Sequence, residues 1–134
     1  MQLQLITYVN NELPVGWKPY YIYEIIVDNQ RVGKIVFSEG TLEERYYDGH
    51  IGYTIEPEYR GHNYAFQATK ILLDIIKEKN YKEIIITCSP DNIASKRSIQ
   101  KLNAIYLETK KVPKEIQKYF QPDEKIKEIY YISL

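Results

Sequence analysis

Apolar and polar residues alternate over several short stretches of this 134-residue chain, and at two places the period lengthens to three and four. Leu3 to Val9 has strand character, and Asn10 to Pro19, with two prolines and Gly16, interrupts it. Tyr20 to Val27 and Val32 to Ser38 are rich in β-branched and aromatic residues, and Asp28-Asn29-Gln30 between them predicts a hairpin turn. An acidic loop, Glu39 to Gly49, leads to a short strand, His50 to Ile55, in which Ile51, Tyr53 and Ile55 alternate with small or polar residues. Ala65, Ala68, Leu72, Ile75 and Ile76 then recur at helical spacing and predict an amphipathic helix over Asn63 to Lys79. Ile84-Ile85-Ile86, inside Glu83 to Cys88, predicts a central strand buried on both faces. Ser89-Pro90-Asp91-Asn92 turns the chain into a second helix, Ile93 to Leu102, with Ile99 and Leu102 inward. A strand from Ala104 to Thr109, a segment from Lys110 to Glu124 and a closing strand from Lys127 to Leu134 complete the order.

His50 to Cys88 therefore reads as a strand, helix, strand crossover, while the first hairpin and the last pair of strands are antiparallel. The expected fold is α/β (α+β): a mixed, mostly antiparallel central sheet of about seven strands with flanking helices, in one domain over residues 1–134.

Composition narrows the chemistry. The single cysteine, Cys88, excludes an internal disulfide and a zinc site of the paired-cysteine kind, and His50 and His62 are the only imidazoles, so no metal is expected. No apolar run approaches the length of a membrane helix, and MQLQLITYVNNE lacks the basic and apolar regions of a signal peptide. A soluble cytoplasmic protein with no membrane partner is the expectation. A net charge of zero argues against a nucleic-acid partner. The zero conceals an asymmetry: residues 1–59 carry four basic against nine acidic residues, and residues 60–134 carry fourteen against nine. Such a division is a hint about partners.

The boundary falls at a loop. Glu56-Pro57-Glu58-Tyr59-Arg60-Gly61-His62-Asn63-Tyr64-Ala65 lies between the strand ending near Ile55 and the helix beginning near Asn63, where unpaired N–H groups and the helix dipole favour an anion. Arg60 adds a cation, Gly61 permits close approach of a ligand, Asn63 tolerates a left-handed backbone, and Ala65 keeps the first turn small. Pyrophosphate suits these properties. The chain has neither a P-loop nor the three glycines of the dinucleotide fingerprint.

This loop resembles motif A of the GCN5-related N-acetyltransferases, the GNAT superfamily, which reads R/Q-x-x-G-x-G/A. Arg60 and Ala65 match its ends, and Asn63 stands at its first glycine. Asn92-Ile93-Ala94-Ser95 through Lys101-Leu102-Asn103-Ala104 resembles motif B, N-x-x-S followed by K-L-G-F or K-L-G-A, with Asn103 in the glycine position. The resemblance runs from His50 to about Thr109. It implies an N-acetyltransferase that moves an acetyl group from acetyl-CoA to an amine acceptor by direct attack. The alternative is an acyl-CoA-binding module on the same fold that has lost catalysis. Monomer and homodimer both remain open.

The resemblance further implies that residues Arg60, Gly61, His62, Asn63, Tyr64 and Ala65 hold the pyrophosphate, that Asn92 touches pantetheine, and that Ser95, Lys96 and Arg97 lie near the cofactor. Backbone groups of Tyr53 and Ile55 would polarise the thioester carbonyl. The tyrosine that many members place seven residues after the motif-B asparagine is Ile99 here. For a base, Glu24 shares a strand face with Ile22 and Ile26, and His50 has a suitable intrinsic pKa; Glu24 also reads as a solvated edge residue, and His50 as a loop histidine. Cys88 reads as a small core residue in preference to a nucleophile. The family usually places two helices between its first two strands, whereas only Asn10 to Pro19 intervenes here. The acceptor pocket is then expected from this loop with Trp17, from the acidic loop with Tyr46 and Tyr47, and from Lys110 to Glu124.

Overall fold

The structure, a computed structural model, describes residues 1–122 and 124–134; Asp123, within the segment expected to border the acceptor pocket, lies outside the described residues. Seven strands and two α-helices follow in the order β1 (Gln2–Val9), β2 (Tyr20–Val27), β3 (Gln30–Ser38), β4 (Ile51–Ile55), α1 (Tyr64–Glu78), β5 (Glu83–Cys88), α2 (Ile93–Lys101), β6 (Ile105–Lys111) and β7 (Ile126–Ser133). Single 3-10 turns occupy Pro57–Tyr59 and Lys114–Tyr119, where the sequence pattern shows only loop.

The expected mixture of antiparallel strands around a β4-α1-β5 crossover is present. The strands form two sheets, however, of order β1-β2-β3-β4 and β5-β7-β6, each antiparallel throughout. Asp28 and Asn29 both have positive φ, 51° and 64°, so the β2-β3 loop is a two-residue turn whose twist matches the strands it joins. Ile84, Ile85 and Ile86 are fully buried, as a strand covered on both faces requires.

The core runs from the first sheet and α1 to β5, α2 and β7, whose Ile84, Ile86, Ile99 and Ile132 belong to the same cluster. Ala68, Leu72 and Ile76 recur on one helix face and pack with Ile35, Phe37, Ile51 and Ile55 of β3 and β4. The β3-β4 contact is unusually close at Gly33, where an added Cβ would stand 2.2 Å from the Thr54 carbonyl oxygen and 3.0 Å from the Ile55 Cα. Both obstacles include main chain and cannot rotate away. Gly33→Ala is therefore expected to cost about 2–3 kcal/mol by forcing β3 from β4, measurable as a shift in the urea midpoint; an unchanged midpoint would show that the strands already have slack.

Candidate active site

β4 and β5 touch only at one end. The His50 N–H donates to the Ile85 carbonyl at 2.8 Å, and the Ile85 N–H donates to His50 Nδ1 at 2.9 Å. Beyond this point the strands separate, since β4 pairs with β3 on one edge and with no strand on the other. The register sets which groups face the gap. Ser38 N–H bonds the His50 carbonyl and Glu56 N–H bonds the Val32 carbonyl, so Gly52 and Thr54, two and four positions along, also bond to β3. Antiparallel alternation then directs the main-chain groups of Tyr53 and Ile55 toward the open edge.

Two cavities flank that edge. The first, of about 760 Å³, lies between β4, the start of α1 and α2; the second, of about 520 Å³, lies on the other side, against β3, β4, the end of β5 and the chain before β7. Both have the size of small-molecule sites. Tyr53, Thr54, Asn92 and Ser95 line both. The Tyr53 hydroxyl donates to Ser95 Oγ at 3.0 Å across this common wall, and burial raises its pKa, which keeps the phenol protonated. Asn92 caps α2: its Oδ1 accepts from the Ser95 N–H at 3.2 Å, leaving the amide hydrogens free to donate.

The first cavity brings together most of the residues singled out in the sequence: Ile55, Arg60, Gly61, Asn63, Tyr64, Ala65 and Arg97 line it along with the four common residues. Asn63 sits at φ 64°, the left-handed conformation that glycine would otherwise supply, and Asn103 at φ 59° does the same at the second glycine position. No side chain caps the N-terminus of α1, so its first-turn N–H groups remain available to an anion. Asn63 Oδ1 instead accepts from Lys101 Nζ at 3.1 Å, and Arg60 Nε bonds the Ile55 carbonyl at 3.0 Å, bracing the loop against β4 and α2. Lys101, Tyr59, Ala94 and Ser98 complete the lining and were not singled out as site residues in the sequence; Lys101 belongs to motif B, and the missing signal was its contact with the loop.

Three cations (Arg60, Arg97 and Lys101) and no carboxylate line this cavity, whereas Asp48, Asp91 and Glu124 outnumber Lys34 and Lys127 in the other. The sign of the charge thus differs between the cavities, but it does not follow the division along the chain, since Asp91 and Glu124 come from the basic half and Lys34 from the acidic one. The fit to an acyl-CoA is chemical: cations and free helix N–H groups for phosphates, and an unpaired strand edge for an amide-bearing arm.

Three expectations are corrected. His62 does not line the cavity; its exposed ring stacks on Tyr64 with centroids 5.2 Å apart. His50 lines neither cavity. Its ring is 1% exposed, Nδ1 accepts from Ile85, and Nε2 must then donate to the Gly40 carbonyl at 2.9 Å. With both nitrogens engaged it has no lone pair for a substrate. Glu24 also lines neither cavity, and lies between Gln4 and Lys34 on the face away from the core, 3.7 Å from Arg31 Nε. The adjacent apolar residues of that face, Ile22 and Ile26, are only half buried. Cys88 lines the second cavity with its thiol pushed up to about 11 by burial, so it stays protonated and is no nucleophile.

The sequence model described as "Acetyltransferase (GNAT) domain" matches residues 5–105, well over half of the chain. The chain belongs to the GNAT superfamily. An uncharacterized N-acetyltransferase of Bacillus subtilis, YnaD, is 38% identical over 72 residues, covering 53% of this chain and 41% of the relative. The GNAT-family acetyltransferase of Bacillus anthracis superposes with a TM-score of 0.62 at 26% identity, over 85% of this chain and 65% of that one. RimL, the ribosomal L7/L12 alpha-N-protein acetyltransferase, gives 0.65 at 17% identity, over 86% and 61% respectively. This GNAT chain thus spans less than two thirds of each of these relatives. Among the described residues no helix is long and apolar enough to cross a membrane, and no cluster of His, Cys, Asp and Glu could hold a metal.

Proposed function

We propose that this GNAT chain acts as one domain over residues 1–134 and transfers an acetyl group from acetyl-CoA to a primary amine, both bound at once. The observation that carries the reading is the pair of cavities with a common wall, one cationic and one with a carboxylate excess, which lets an anionic donor and a cationic acceptor meet at an open strand edge. The loop from Arg60 to Ala65, with Arg97 and Lys101, holds the phosphates. Asn92 donates to the pantetheine arm. Acetyl-CoA supplies an activated acyl carbon and a thiol leaving group, and the N–H groups of Tyr53 and Ile55 face the gap where its carbonyl oxygen gains charge.

Ile99 is buried in the core, so its lack of a hydroxyl takes nothing from either cavity wall. The protonated hydroxyl that does lie in the common wall is that of Tyr53, which can protonate the departing sulfur. We read the acceptor as an α-amino group of a polypeptide, because the second cavity carries a carboxylate excess that suits an ammonium group and because RimL is named for that chemistry.

Saturating acetyl-CoA at about 100 times its dissociation constant is expected to stabilise the fold by about 2.7 kcal/mol. Thiol release should then follow addition of short peptides with a free N-terminal serine or alanine, and not of their N-blocked forms. No thermal shift would refute the reading; a shift without turnover would favour a binding module that has lost catalysis.

A further inference from the structure

Asp48 occupies a place that neither motif accounts for. The chain leaves the acidic loop and runs along β5 in the opposite direction from Tyr47 to His50. The Tyr47 carbonyl accepts from Thr87 Oγ1 at 3.3 Å, Gly49 lies against Ile86, and His50 bonds both main-chain groups of Ile85. Gly49 is required there: its φ is 74°, and a Cβ would stand 3.3 Å from the Ile85 oxygen and from the Thr87 nitrogen. The segment is thus held to β5 at three successive points and ends in a buried imidazole. Asp48, between the first and second of these, lines the second cavity together with Thr87 and Cys88.

Among the carboxylates of that cavity, Asp48 is the one placed to act. Glu124 is committed to Lys127 at 2.9 Å, and Asp91, exposed like Asp48, lies in the turn before α2 and not in the segment pinned to β5. Arg45 Nη1 holds Asp48 Oδ2 at 3.2 Å and the residue's own backbone N–H also bonds the carboxylate, while the side chain is 45% exposed, so an acceptor can reach it. We infer that Asp48 binds the ammonium group of the acceptor and takes its proton, with Gly49 and His50 as the positioning residues that hold it at the cavity wall. This rests on the acyltransferase reading and deepens it.

The step balances. A carboxylate oxygen of Asp48 takes one proton from R–NH3+, and the freed nitrogen lone pair attacks the thioester carbonyl carbon. The C–N bond forms and the C–S bond breaks, Tyr53 gives its hydroxyl proton to the thiolate and regains a second proton from the nitrogen, and Asp48 returns its proton to solvent. The products are the amide, free CoA and one proton. Burial raises the Asp48 carboxyl pKa above its ordinary value, which makes it a better proton acceptor than a solvated aspartate. Arg45 on its own loop opposes this, as does Lys127 from β7; Lys34 from β3, and the carboxylates Asp91 and Glu124, line the same cavity.

Two measurements test the inference. Asp48→Asn should keep the thermal shift with acetyl-CoA, lose about 100-fold in kcat/KM for a serine-initiated tetrapeptide amide, and lose the acid limb of the pH profile; Asp48→Glu should restore that limb. An unchanged limb and rate would overturn the assignment. Independently of turnover, protein carrying 13C at the aspartate carboxyl carbons is titrated in the presence of CoA with the same peptide and with its N-acetylated form. The resonance missing from Asp48→Asn should respond to the free amine only. A resonance unmoved by the free amine would overturn amine binding at Asp48 even if acetyl transfer is found elsewhere, whereas failure of the wild-type chain to shift with acetyl-CoA would instead undo the acyltransferase reading.

Discussion

Asn63→Asp is expected to strengthen the fold slightly and to weaken acetyl-CoA binding by roughly 30-fold. The exchange is isosteric, and aspartate tolerates the left-handed backbone at φ 64° that Asn63 adopts. Its oxygen retains the contact with Lys101 Nζ at 3.1 Å, now as an ion pair. A negative charge at the N-terminus of α1 also interacts favourably with the helix dipole, by about 0.3–1 kcal/mol. That same charge stands where the phosphates of the donor would bind, and repulsion between a carboxylate and a pyrophosphate in a half-solvated site costs about 2 kcal/mol, or roughly 30-fold in affinity. Most substitutions that damage a binding loop also damage the fold, so opposite signs are diagnostic. Urea unfolding and calorimetric titration with acetyl-CoA read the two effects separately. Undiminished affinity would move the pyrophosphate away from this loop.

The second large effect concerns stability. His50→Ala leaves the Gly40 carbonyl and the Ile85 N–H without partners in a buried site, at about 1–3 kcal/mol for each lost partner. It also empties the space of a fully buried ring packed beside Phe37 and Tyr81. A total loss of about 4 kcal/mol is expected, readable by urea unfolding at pH 7. The pH dependence follows from the same burial, which lowers the imidazole pKa in the folded protein below its ordinary value of 6.5. Above 6.5 both states hold a neutral ring and the contribution is fully present. As pH falls below 6.5 the unfolded chain binds a proton that the folded chain refuses, so stability is lost progressively until the folded pKa is passed. The wild-type chain should show this decline, and His50→Ala should lack the part due to this ring. A loss under 1 kcal/mol at pH 7 would mean that water replaces the imidazole at the junction of β4 and β5.

These two residues show how differently the site could be read from the chain. The Arg60–Ala65 loop was legible because the anion-binding role proposed for it depends on local properties: a strand end, a helix start, a cation and a residue that accepts positive φ. All of these lie within the ten positions from Ile55 to Tyr64. Asn63 and Asn103 depart from the glycines of the motifs, but both adopt the left-handed conformation, so the chemistry of the backbone is preserved. Asn92 and Ser95 were legible for a similar reason, as a helix cap and its partner.

The catalytic side was not legible by such means. His50 has a suitable intrinsic pKa, yet its role is decided by Gly40, ten positions earlier, and by Ile85, thirty-five positions later. Glu24 has the alternation of a buried strand face, but that face of β2 lies away from α1 and looks outward. Asp48 looks like one more charge in an acidic loop, and becomes distinctive only because its neighbours run along β5 and hold it at the cavity wall.

Periodicity, turn residues and capping act over a few positions, so the order of residues alone carried the elements, the family and the loop proposed to hold the donor. Only the tertiary structure decided that β4 and β5 part beyond His50, that two cavities share Tyr53, Thr54, Asn92 and Ser95, and that opposite charges line them. Those features depend on contacts between residues tens of positions apart, and a side chain's protonation and reach are set by what the fold packs against it.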